Sequence, residues 1–376
     1  MNNRQYIKLS QLCVITMGQS PSSDTYNTSK NGLPFYQGNA DFGDLYPHNR
    51  IWCSAPKKIA HRNDLLISVR APIGAVNIAT ETCCIGRGLA ALAPNENCSL
   101  NYLFYAVKNL TNELEHLGTG STFKAINKDI LENIPVPYYD KLKQELISQR
   151  LSLVDRTIFQ RKSQLKLFDE LIKSRFVEMF GIPYEKSAKF EKDYLKNSCQ
   201  VITGNTPSKA DSNYYGHYIE WIKTDNILSN EIYPTTATQF LSKEGLSVGR
   251  SVKGNSVLMA CIAGSISSIG KVCITDREVA FNQQINAIVP HKYNVFFLYV
   301  MLLLSKDYLI SDLHMALKGI ITKSMLENKI FIIPPIKLQN QFAEFVQQVD
   351  KSRLAVQKSL DELEILKKSL MQEYFS

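Results

Sequence analysis

The residues of this chain that could do chemistry sit in polar loops, and the pattern occurs twice. In the first half, Gln19, Ser20, Tyr36, Gln37 and Asn39 lie in and around a Gly-x-Ser-Pro run and an apolar-aromatic run. Arg70 precedes Ala71-Pro72-Ile73-Gly74, Arg87 stands between Gly86 and Gly88, and Lys124 follows Gly118-Thr119-Gly120-Ser121-Thr122. In the second half come Thr206, Lys209 and Tyr214, then Lys223 and Asn226, then Gln283, then Lys318. Arg and Lys neutralise phosphates, and Arg can also pair with guanine O6 and N7. Asn and Gln carry the donor and acceptor that match adenine N6 and N7. Glycines let backbone amides approach a phosphate closely. Each residue also has a plainer reading: loop amides close turns, arginines form internal ion pairs, and glycines serve bends.

Catalytic signatures are few. There is no Gly-x-x-x-x-Gly-Lys-(Ser/Thr) phosphate loop, no Asn-Pro-Pro-(Tyr/Phe) loop of the kind that holds a target amine, and no His-Glu-x-x-His zinc pattern. Gly86-Arg87-Gly88 and Gly118-Thr119-Gly120 do not extend into a dinucleotide fingerprint. The six His are scattered, and the 8 Cys contain no Cys-x-x-Cys pair, which suits unpaired thiols in a reducing compartment. A carboxylate cluster built from distant residues stays open. The balance favours a binder over an enzyme, with no cofactor or metal of its own.

The elements that must position these loops are also written twice. Val14-Ile15-Thr16-Met17-Gly18-Gln19-Ser20-Pro21 returns as Val201-Ile202-Thr203-Gly204-Asn205-Thr206-Pro207. Leu33-Pro34-Phe35-Tyr36 matches Ile219-Glu220-Trp221-Ile222, and Ile73-Gly74 matches Ile269-Gly270. Ile85 to Pro94 matches Phe281 to Pro290. Further on, Leu131-Glu132-Asn133 returns as Leu326-Glu327-Asn328, Gln144 meets Gln339, and Phe180 meets Phe375. So ordered a series marks a duplicated domain with a duplicated tail.

The tails read as long helices. Neither Gly nor Pro occurs from Leu142 to Phe180 or from Lys337 to Phe375, runs of about 58 Å at 1.5 Å per residue. Apolar residues recur at four- and three-residue steps: Ile147, Leu151, Val154, Ile158, Leu165, Phe168, Ile172 and Met179, then Phe342, Val346, Val349, Val356, Leu360, Leu363, Leu370 and Tyr374. This is a coiled-coil seam. Arg161, Arg175, Arg353 and Lys367 interrupt it. Two narrow seams suit helices that pair with each other; packing of each helix on its own domain is the alternative. Before each helix, short β-rich runs alternate with Gly- and Pro-bearing turns, and helices are expected at Asn101–Lys108 and Val295–Ser305, so each unit reads as α+β.

Length and charge bound the rest. At about 150 residues per domain, 376 residues suggest two or three domains. A 44% hydrophobic content supports packed cores and excludes a disordered chain. The net +8 permits a nucleic-acid partner, although no strongly basic stripe stands out. The polar start lacks the apolar stretch of a secretory signal. The longest apolar run, Val295 to Leu304, is about half a membrane span. A cytoplasmic protein with no membrane partner is expected.

The ordered motifs resemble the specificity subunits of type I restriction–modification enzymes. The resemblance rests on Gly-x-(Ser/Thr)-Pro, Arg70 to Ile78, the Gly118 to Thr122 loop with Lys124, and Asn133-Ile134-Pro135-Val136-Pro137 leading into a long helix. The second copy repeats it with Gly204 to Pro207, Ile269-Gly270-Lys271-Val272, Asn282-Gln283-Gln284-Ile285, and Ile332-Ile333-Pro334-Pro335 before Gln339-Asn340-Gln341. It covers essentially the whole chain. It implies two tandem target recognition domains, at 1–137 and 181–335, each followed by a spacer helix, at 138–180 and 336–376, the helices pairing as an antiparallel coiled coil. It also implies that each domain reads one half of a split, asymmetric double-stranded DNA site. The implied partners are two modification subunits, which use S-adenosylmethionine for adenine-N6 methyl transfer, and restriction subunits with ATP- and Mg-dependent translocase and nuclease activity. The chain itself would be non-catalytic. The copies depart from each other where Ile85-Gly86-Arg87-Gly88 faces Phe281-Asn282-Gln283-Gln284, and in the approach to the first helix. A stand-alone DNA-modifying enzyme and a non-DNA coiled-coil scaffold are the competing readings.

Overall fold

The computed structural model describes residues 4–118, 124–185, 189–229, 231–262, 268–311 and 319–376. The chain forms two compact units, Met1–Arg161 with Ser359–Ser376, and Lys162–Lys358.

The first unit is built on a four-stranded antiparallel sheet in the order Cys13–Met17, Leu89–Pro94, Leu65–Ser68, Val76–Ile78. The central strands are buried on both faces, which explains their near-continuous apolar sequence. One face carries the helix Leu100–Asn109, whose N-cap Ser99 accepts a hydrogen bond from the Tyr102 amide. The other face supports a second sheet in which Leu33–Tyr36 runs parallel to Cys83–Ile85.

The second unit repeats this plan. Its sheet runs Cys199–Thr203, Ile285–Pro290, Val257–Ala260, Val272–Ile274. Its helix is Val295–Leu304, capped by Asn294. Its parallel pair joins Tyr215–Ile222 to Val279–Phe281, with Trp221 and Ile222 in the places of Phe35 and Tyr36. The matched Ile-Gly pairs fall at equivalent bends: Gly74 has φ +87° and Gly270 φ +77°, where any other residue is strained.

Two 40-residue helices, Lys141–Phe180 and Ile336–Phe375, are shared between the units. Within the first unit, Ile147 and Leu151 from the start of one helix share a core with Tyr374 and Phe375 from the end of the other. Arg150 donates to the Tyr374 hydroxyl at 2.9 Å, and Lys367 lies 2.5 Å from Asp155. Partner order is reversed along the two helices, so they run antiparallel. Within the second unit, Phe176 and Phe180 from the end of the first helix stack around Phe342 and Phe297, with centroids 4.9–5.7 Å apart. Arg353 pairs there with Asp169.

The expected seam residues are all buried or half-buried. Two expectations change, and one feature is new. The helix starts at Lys141 rather than 138, because Pro135–Pro137 forms a strand with Tyr6–Lys8. Helix ends and globular cores are continuous, so 138–180 and 336–376 are not separate bodies. Phe176 and Phe180, outside the seam, are the most deeply buried side chains of the first helix end. The first helix stops at Gly181, as its sequence suggests; there φ is +76° and the amide donates to the Val177 carbonyl at 2.8 Å.

Candidate nucleic-acid interface

Three loops meet at one end of the first unit's sheet, and backbone bonds fix them. The Gly18 amide donates to the Leu89 carbonyl at 2.9 Å, and the Gln19 amide to Ile85 at 3.0 Å. The Gly86 amide donates to Tyr36 at 2.8 Å, and the Gly88 amide to Gln37 at 3.2 Å. The glycines are needed for this approach: a Cβ at Gly18 would stand 2.1 Å from the Gly86 carbonyl oxygen. The Ser20 hydroxyl accepts the Arg87 amide at 3.2 Å. Gln37, Asn39, Arg70 and Arg87 thereby line one cleft, with Ser68, Ala71 and the glycines 38 and 88. A second cleft shares the Gln37–Asn39 wall and extends to Arg50 and Pro72. Arg70 bridges Ala125 in β fashion, which sets exposed Lys124 beside it in the chain.

The second unit repeats the arrangement. The Gly204 amide donates to Ile285 at 3.0 Å, the Asn205 amide to Phe281 at 3.2 Å, and the Asn282 amide to Ile222 at 3.1 Å. A Cβ at Gly204 would meet the Asn282 carbonyl oxygen at 2.1 Å. The Thr206 hydroxyl bonds the Gln283 side-chain carbonyl. Lys223 holds its ammonium 5.0 Å above the Trp221 ring. In both units a tyrosine hydroxyl ties down the motif proline: Tyr26 donates to Pro21 at 3.0 Å and Tyr215 to Pro207 at 2.8 Å. Tyr26 escaped the sequence reading, because the spacing from proline to tyrosine differs between the copies.

The arginines divide into struts and free groups. Arg50 is bound to Asp41 at 3.1 Å, Arg277 to Glu220 at 2.6 Å, and Arg250 to the Thr203 carbonyl at 2.5 Å. Arg70 and Arg87 are exposed, and neither guanidinium makes a hydrogen bond or ion pair among the described residues. Gln19, Gln37, Lys124, Lys209 and Gln283 are exposed, while Ser20, Asn39, Thr206, Tyr214 and Lys223 are half-buried.

Two expected site residues are internal. Tyr36 is 1% exposed, and its hydroxyl bonds Asn49. Asn226 is 8% exposed; its carbonyl accepts the Lys223 amide at 3.0 Å and its NH2 reaches Thr235 at 3.1 Å. They shape the loops that carry Gln37 and Lys223. Lys318 lies outside the described residues.

The cysteines offer no reactive centre. All are buried, and burial pushes the thiols of Cys13, Cys83, Cys98, Cys199, Cys261 and Cys273 up to about 12. Among the described residues, no three His, Cys, Asp or Glu side chains converge as a metal set.

Comparison with known proteins identifies this doubled arrangement. The family described as type I restriction modification DNA specificity domain matches residues 1–167 and again 188–364. The chain belongs to that family. A putative type I restriction enzyme MjaX specificity subunit from Methanocaldococcus jannaschii is 42% identical over 159 residues, 42% of this chain and 36% of that protein. The match thus spans about a third of that relative's length. The MjaIX specificity subunit of the same organism is 22% identical over 84% of this chain and 77% of its own. Among solved structures, a type I restriction–modification S subunit from M. genitalium superposes with a TM-score of 0.64 at 14% identity, covering 100% of this chain and 97% of that one. The last likeness speaks for the fold.

Within the specificity family, the duplication accounts for the repeated loop geometry. The site where the copies depart in sequence, Arg87 against Gln283, is one structural position. Each follows the parallel strand pair by two residues, and each lies beside the motif Ser or Thr. No helix among the described residues is long and apolar enough to cross a membrane.

Proposed function

We propose that this chain supplies DNA sequence recognition to a type I restriction–modification complex, each unit reading one half of an asymmetric, bipartite double-stranded site. The observation that carries this is the pair of equivalent loop clusters, each holding polar side chains outward on a rigid backbone. In this reading Arg70 and Arg87, with Gln37, Asn39 and Lys124, face DNA from the first unit. Thr206, Lys209, Lys223 and Gln283 do so from the second. Two modification subunits supply S-adenosylmethionine-dependent adenine-N6 methylation, restriction subunits supply ATP- and Mg-dependent cleavage, and the complex works in the cytoplasm. The chain contributes specificity and no catalytic group, and the length of its helices sets the number of bases between the half-sites.

Charge reversal tests the assignment. Arg70→Glu together with Lys223→Glu in the purified complex is expected to lower affinity for its DNA site by at least a hundredfold at about 0.1 M salt, because two attractive contacts become repulsive. Unchanged affinity and an unchanged salt slope would remove both residues from the interface.

A further inference from the structure

The turn that separates the copies carries a more specific conclusion, which rests on the DNA-reading function proposed above. We infer that the tip residue of this turn is a specificity-determining base reader, Arg87 recognising guanine in one half-site and Gln283 recognising adenine in the other.

The two turns share their framework. In the first, the Gly86 and Leu89 amides are bound to Tyr36 and Gly86 carbonyls at 2.8 and 3.0 Å. In the second, the Asn282 and Ile285 amides are bound to Ile222 and Asn282 at 3.1 Å each. The first turn is pressed against the neighbouring loop so closely that a Cβ at Gly88 would stand 2.3 Å from the Gln37 carbonyl oxygen. The second replaces the glycine before the tip with Asn282, whose side-chain Oδ1 accepts the Gln284 amide at 3.1 Å. Both tips are therefore held before any ligand arrives, which lowers the entropy lost on binding.

The side chains at the tips differ in what they offer. Arg87 is exposed, its amide is held by Ser20, and its guanidinium is unbonded among the described residues. That leaves a planar two-donor fork, the complement of guanine O6 and N7. Gln283 is exposed as well, with its carbonyl oriented by the Thr206 hydroxyl. An amide oxygen has two lone pairs, so one remains to accept from adenine N6 while the NH2 donates to N7. Both side chains can also donate to a phosphate, but that contact needs neither the fork of one nor the paired donor and acceptor of the other. A cation exchanged for a neutral amide on the same backbone changes the base edge that is matched.

Mapping of methylated sites in the native host, with the gene replaced by variants, tests this. Arg87→Gln is expected to relax or alter one G·C position in one half-site, shifting discrimination there by roughly ten- to a hundredfold. Arg87→Lys, which keeps the charge but not the fork, should weaken the same position. Gln283→Arg should alter one A·T position in the other half-site only. Purified variants are checked for a melting temperature equal to that of the parent, and Gln283→Arg carries the test alone if Arg87→Gln does not fold. A motif that keeps every base at full or reduced methylation overturns the inference, as does complete loss of methylation by folded variants. Failure of the underlying reading looks different: deleting the parent gene then leaves the methylome unaltered.

Discussion

Gln144 and Gln339 occupy the same place in the two copies and make the same bonds, whereas Arg87 and Gln283 share a place and offer different chemistry. Gln144 is fully buried; its carbonyl accepts the Ser99 amide at 2.9 Å, and its NH2 donates to Asn97 and Tyr139 at 2.9 and 2.8 Å. Gln339 accepts the Asn294 amide at 2.9 Å and donates to Lys292 and Pro334 at 3.4 and 2.8 Å. Each clamps the start of a long helix to the cap of the domain helix. A buried amide with its bonds satisfied tolerates little change, because an orphaned partner costs its full desolvation. A side chain at an exposed turn carries no such penalty. The copies have therefore kept the same clamp and acquired different tips.

The largest break in the comparison is expected at the helix ends. Phe176 lies in the aromatic cluster of the second unit, while its counterpart Met371 is half-buried in the first. Phe176→Ala should cost about 3–5 kcal/mol and Met371→Ala about 1–2 kcal/mol in denaturant unfolding. Equal costs would mean that the two ends are anchored alike.

The glutamine clamps should behave as a matched pair. Gln144→Ala and Gln339→Ala are each expected to lose about 1–3 kcal/mol, with overlapping unfolding curves. A clear difference between them would show that one copy tolerates the orphaned amides.

Acid should separate the copies. Arg277 beside Glu220 holds that carboxyl below its ordinary value. A depressed carboxyl stabilises the fold above the unfolded-state value, near 4.3, and the contribution disappears as pH falls through the folded-state value. The corresponding positions of the first copy are Pro34 and Glu81, which cannot form this pair. Glu220→Gln should lower stability by about 1 kcal/mol at neutral pH and flatten the fall in denaturant midpoint between pH 5 and pH 3. An unaltered acid limb would place the sensitivity elsewhere.

The smallest effect is expected at Lys209, an exposed residue in a turn. Lys209→Ala should leave stability within about 0.5 kcal/mol and reduce the slope of log affinity against log salt by about 1. An unchanged slope would remove this phosphate contact.

Much of the fold was legible because duplication leaves marks wherever packing is strict. The matched Gly18 and Gly204, Gly74 and Gly270, and Gln144 and Gln339 all fall where a close backbone approach, a positive φ or a buried set of hydrogen bonds restricts the residue type. The uninterrupted runs after residue 140 and after residue 335 gave the helices, since Gly and Pro are what would break them. The site was harder to read. Tyr36 and Asn226 have the composition of a reading surface, but their environment turns them inward, and burial of a loop side chain leaves no periodic trace. Tyr26 and Tyr215 hold corresponding prolines across unequal spacings. Which arginines are struts depends on carboxylates far away in the chain, as with Arg277 and Glu220. The seam named Met179 and missed Phe176 because the helix end leaves the two-helix interface and enters a globular core.

The central claim, that this chain confers DNA specificity through two unlike readers, is tested most directly by long-read methylome mapping in cells with and without its gene. The account predicts that one asymmetric, bipartite adenine-methylation motif disappears on deletion and returns with the gene. A methylome that is identical in both strains would contradict it.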